Sequence, residues 1–145
     1  MEKDLQIKKN LFSEPLHLEA ALEYVDIRSE LAPTSSKSEH TLFFYKRLRD
    51  DFTSESNALL AEYEKGKDSF PEKYQTYKTY MQYVDSCISY LEAQLAKEEG
   101  YSGTAIALKK QAISQLDTLR DSEQPKTLFL EKRIERALKE IDASL

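Results

Sequence analysis

Between Ser69 and Glu99 the apolar residues Phe70, Tyr74, Tyr77, Met81, Val84, Ile88, Leu91 and Leu95 follow one another in steps of four and three without a miss. That spacing is a heptad seam, with a at Tyr74, Met81, Ile88 and Leu95 and d at Phe70, Tyr77, Val84 and Leu91, and it holds one side of a helix against a partner. The stretch does not contain its partner, so the rest of the chain or another chain has to supply it. Tyr80 and Cys87 at g, with Tyr83 and Tyr90 at c, widen the seam, while Thr79, Ser86, Lys78, Asp85 and Glu92 fall on the polar side. So wide an arc predicts contact with at least two other helices.

The remaining chain divides into helices of matching character. Ser13-Glu14-Pro15 reads as a helix start, and the helix it opens runs to about Leu31, ahead of Pro33. This first helix is apolar on two sides, one formed by Leu18, Ala21, Leu22 and Val25 and the other by Leu16, Ala20, Tyr24, Ile27 and Leu31. A helix of that kind is usually sandwiched. Ser36 and Glu39 have capping-box spacing and open a second helix to about Lys65, with Phe44, Tyr45, Leu48, Phe52, Leu59 and Tyr63 on its apolar side. Glu55 and Ser56 interrupt that side and predict a weak, unfilled contact at mid-helix. Ser69 and Glu72 form a second capping box after the Gly66-Ser69 turn, so the second and third helices should make an antiparallel hairpin about 45 Å long. A fourth helix starts at Ser102 or Thr104, with Ala105, Leu108, Ala112, Leu116 and Leu119 as a small, regular side that permits close approach. A fifth follows Pro125 from Thr127, with Leu130, Ile134, Ala137, Leu138 and Ile141. The starts at Ser36, Ser69 and Ser102 are equally spaced, but the residues of a tetratricopeptide unit are not in place, so the spacing reflects equal helix lengths.

The expected fold is therefore all-α, a bundle of four or five helices in one domain over 1–145, centred on the long hairpin, with 1–12 as a flexible or docking arm. Three Gly and four Pro among 145 residues support few turns and long helices. A formal net charge of -5 argues against general affinity for nucleic acid or anionic membrane, both of which recruit an excess of Lys and Arg. No apolar run approaches a membrane span or a secretory core. The single Cys87 and the lack of an Asn-x-Ser/Thr sequon point to a reducing, cytoplasmic setting.

Chemistry is sparse. His17 and His40 sit in no metalloprotease motif, and no phosphate-binding or nucleophile-elbow glycine pattern is present. Cys87 falls on the apolar side of its helix, where packing is the expected role. Glu14 and His17 match the Glu-x-x-His step of di-iron bundles, but such a site needs two of these steps and two further glutamates. No cofactor or metal is expected.

Tyrosine is the unusual residue, with nine in the chain and Tyr74, Tyr77, Tyr80 and Tyr83 three apart. Their rings suit either a core rim with hydroxyls at the surface or a groove for a partner, since Tyr is enriched where one end is apolar and the other wet. Base stacking is disfavoured by the acidic total. The candidate partner-binding residues are Tyr80, Tyr83 and Tyr90 with Tyr24, Ile27 and Leu31. These features point to a non-enzymatic helical interaction module of adaptor, scaffold or chaperone type, binding a protein partner or a second copy of itself. The alternative is a small helical-bundle enzyme or metal-binding protein. Use as a bacterial secretion chaperone is suggested by analogy only.

Overall fold

The computed structural model describes residues 15–64, 70–124 and 126–144. The 1–12 arm, the Ser13-Glu14 cap with its Glu14-x-x-His17 step, the Gly66-Ser69 turn and its capping box, Pro125, and the side chains of Leu16, Ser36, Tyr63 and Phe70 lie outside the described residues. The described residues form five helices, α1 (Pro15–Glu30), α2 (Lys37–Glu64), α3 (Phe70–Glu98), α4 (Ser102–Asp121) and α5 (Leu128–Ser144), with a 3-10 turn at Thr34–Ser36. Among the described residues there is no strand, and no helix is long and apolar enough to cross a membrane. The architecture is an all-α bundle.

Helix α3 is its axis, packed most extensively against α4 and then α2, and touching α1 and α5 as well. Tyr77, Val84 and Leu91 at d are buried, and so are Tyr80 at g and Tyr83 at c. The a positions Met81, Ile88 and Leu95 are only partly buried, so the deepest line of the helix is rotated away from a toward g, c and f. The f positions carry the surprise. Thr79, Ser86 and Ala93, of which the first two were assigned to the polar side, are fully enclosed. They are small and recur every seven residues on α3, the helix packed most extensively against α4, whose Ala105, Ala112, Leu116 and Leu119 are buried. Close approach of two helix backbones needs such residues.

Burying hydroxyls there leaves nothing unpaired, because each bonds back to the preceding turn. Thr79 donates to Gln75 O at 2.8 Å, Ser86 to Gln82 O at 3.0 Å and Ser89 to Asp85 O at 3.1 Å. Ser89 also reaches Gln115 Oε1 at 2.9 Å, and Thr79 reaches Gln124 Oε1 at 3.4 Å, which fixes the antiparallel register of α3 and α4.

The junctions follow local rules. At the end of α3 the Tyr101 N–H donates to Ala96 O at 2.8 Å and the Gly100 N–H to Lys97 O at 3.1 Å, the paired bonds of a Schellman cap. Gly100 adopts φ +90, which a side chain would resist. Ser102 opens α4 without a side-chain cap. Thr127 does cap α5, accepting the Leu130 N–H at 3.2 Å while its hydroxyl also meets the Tyr80 phenol of α3 at 2.9 Å. At the far end of α5 the buried Lys109 of α4 donates to Ser144 O at 2.9 Å, setting a cation on the negative helix terminus.

The interruption at Glu55 and Ser56 on α2 is filled rather than empty. Ser56 is buried, with its hydroxyl on Thr53 O at 3.0 Å, and Phe52 beside it is fully enclosed and edge-on to Tyr77 at 6.1 Å. Glu55 turns toward α1, where its Oε1 lies 3.3 Å from His17 Nε2. Helix α1 thus closes the space that α2 leaves.

Candidate functional site

The most concentrated chemistry surrounds an arginine. Arg133 follows Leu130 by three residues and precedes Ala137 by four, so the helical repeat turns it into the apolar arc of α5. Only 9% of it is exposed. Its guanidinium binds Asp26 of α1 with two nitrogens, Nη1 to Oδ2 at 2.7 Å and Nη2 to Oδ1 at 3.2 Å. Nη2 also donates to the Tyr45 hydroxyl of α2 at 3.2 Å, and Nε to the Tyr83 hydroxyl of α3 at 3.1 Å. The cation lies over the rings of Tyr83 and Phe129, each centroid 5.5 Å away. One side chain thereby ties together four helices.

Burial works against the charge on Arg133, but hydrogen bonding to Asp26 and the facing phenols overcome it and raise its pKa, so the guanidinium stays charged. The same burial pushes Tyr45 and Tyr83 well above their ordinary range. Cys87 sits against both phenols, and burial is the main reason its thiol is pushed up to about 11. At neutral pH the cluster therefore holds a paired arginine, two neutral phenols and a protonated thiol. None of these is a ready nucleophile.

The cluster forms the inner wall of a groove of about 650 Å³ between α1, α2, α3 and α5. Its charged lining is balanced, with Lys37, Arg133 and Arg136 against Asp26, Glu30 and Glu140. The groups that act on Cys87 are Tyr83, Tyr45, Arg133 and Asp26 rather than a histidine. Among the described residues no group of three or more His, Cys, Asp or Glu is placed to hold a metal ion.

The six candidate residues separate into two sets. Tyr80 is buried and spends its hydroxyl on Thr127, and Tyr83 is buried and accepts from Arg133. Tyr90 is half-buried on the groove wall. Tyr24, Ile27 and Leu31 stand in water at 60%, 57% and 74% exposure. The first set belongs to the interior and the groove, the second to one outward side of α1. Sequence analysis does not single out Arg133 or Asp26, because a charged residue on a helix is ordinarily solvated. The legible signal was positional, a cation inside the arc defined by Leu130, Ile134 and Ala137. Comparisons with protein-family models, curated proteins and solved structures found no match.

Proposed function

We propose that the chain is a non-enzymatic helical interaction module of adaptor, scaffold or chaperone type, with the outward side of α1 as its contact surface. The observation that carries this reading is the exposure of Tyr24, Ile27 and Leu31 together on one side of a helix whose opposite side is buried. Scattered apolar residues on a surface are ordinary, but adjacent large ones approach the patch size at which a soluble chain recruits a partner. The Arg133 cluster supports the reading indirectly, because it fixes α1 at the Asp26 side and so presents the opposite side in a defined orientation. A reducing, cytoplasmic setting fits the single cysteine.

An aliphatic photo-crosslinking residue placed at Ile27, which keeps the apolar contact, tests it in cells of the source organism. Formation of a discrete crosslinked species, with the same chain or another protein, is expected, and its loss when Tyr24 and Leu31 are both changed to Ser. No crosslinked species from Ile27 would overturn the reading.

A further inference from the structure

The exposed residues of α1 are spaced as a second seam. Ala20, Tyr24, Ile27 and Leu31 step by four, three and four, and all four are exposed. That is the d-a-d-a spacing by which one helix lies along another. With Tyr24 and Leu31 at a, the flanking positions follow: Glu23 and Glu30 at g, and Arg28 at e. Glu23 and Arg28 are exposed as well.

We propose that the surface on α1 is filled by a second copy of this chain, with the two α1 helices parallel and Glu23 of each copy beside Arg28 of the other. The proposal rests on the reading of α1 as a contact surface and names its occupant. The charges select both partner and direction. In a parallel pair a g residue of one helix meets the e residue five positions further on in the other, and Glu23 and Arg28 are five apart. Two-fold symmetry makes two such pairs. An antiparallel pair would instead set Glu23 against Glu30 twice, and like charges facing each other are unfavourable.

Arg28 is held at the flank of the seam, its guanidinium 5.7 Å from the centre of the Phe44 ring of α2. Such stacking removes side-chain freedom before a partner arrives. The rest of each bundle lies behind the buried residues Leu18, Leu22 and Val25, so the two copies stand on opposite sides of the paired helices. Three large side chains from each copy, with their flanks, would bury on the order of 1,000 Å² in all, the low end for a specific interface. An interface of that size belongs with weak, reversible association, so the dimer is to be sought at high concentration.

Sedimentation velocity of the full chain from micromolar to millimolar concentration tests this. The wild type should dimerise. Glu23→Lys and Arg28→Glu should each weaken the dimer about tenfold, since each turns two attractive pairs into repulsive ones. An equal mixture of the two variants, or both substitutions in one chain, should restore it. Helical circular dichroism should be unchanged throughout, because Glu23 is in water and the Arg28 contact with Phe44 is a surface one worth about 0.5 to 1 kcal/mol. A wild type that stays monomeric overturns the proposal, as does a Glu23→Lys variant that dimerises more tightly, the mark of antiparallel pairing, or a mixture that fails to recover. Crosslinking from Ile27 to a different protein alone would overturn the second copy and leave the contact surface standing; no crosslinking at all removes both.

Discussion

Helices α3 and α1 are both apolar on more than one side, yet the fold treats them differently. Helix α3 is enclosed by four neighbours, and it buries residues as small as Thr79, Ser86 and Ala93. Helix α1 buries one side, is held at its edges by Arg133 on Asp26 and Arg28 on Phe44, and leaves Tyr24, Ile27 and Leu31 outside. The comparison separates two ways of fixing a helix. One excludes solvent by fitting backbones closely, and the other pins a helix by charge while keeping an apolar side available.

The contrast can be broken most severely at α3. Val84 is fully buried at the centre of the seam, so Val84→Asp places a carboxylate where water cannot follow, at a cost of several kcal/mol against a typical total of about 5 to 15. Loss of the helical circular dichroism signal at 25 °C is the expected result. Retention of a cooperative thermal transition near the wild-type midpoint would contradict the enclosure of α3.

Alkaline titration comes next. Burial raises Tyr45 and Tyr83 well above 10 and Tyr80 to about 12. A phenol whose folded pKa lies above its unfolded one binds more protons in the native state between those two values. Its contribution is therefore intact below pH 10 and is lost as pH rises toward 12 and beyond, by about 2 to 3 kcal/mol for Tyr80 alone. Urea midpoints should be flat near neutrality and fall above pH 10, and Tyr80→Phe should flatten part of that fall.

The charge-pinned side of α1 should respond less. Asp26→Ala strands the Arg133 cation, but Asp26 keeps 43% of its side chain in solvent. The cost should then be about 2 kcal/mol, below the range for a fully buried pair. Adding Arg133→Met to Asp26→Ala should recover part of this loss in urea unfolding, since no stranded charge remains. The smallest effect belongs to the open side, where Ile27→Ser should change stability by less than about 0.5 kcal/mol while abolishing association. A larger destabilisation would mean that Ile27 supports the bundle itself.

Helix positions were legible in the sequence to within a residue or two, because heptad spacing, Gly100 and Thr127 are local signals. The seam of α3 was legible in existence but not in rotation. A hydrophobicity pattern ranks Met81 and Ile88 above Thr79 and Ser86, whereas close approach of a neighbouring helix favours burial of the smaller pair. The filled space at Glu55 and Ser56 depends on His17, 38 positions away, and no local pattern reports such a distance. Arg133 and Asp26 meet across 107 positions. A buried charge is recognisable only once both members of the pair are placed.

The hydroxyl of Thr127 serves the first turn of α5 and the Tyr80 phenol of α3 at once. Nucleating a helix is its least favourable step, and the group that assists it here is itself oriented by a residue in the middle of the core. Formation of the last helix is therefore coupled to that of the third. Its amide protons should exchange with deuterium only when the whole bundle opens, at the slow rate of α3 rather than the fast rate usual for a terminal segment. A chain built this way gives up its final helix and its centre in one event.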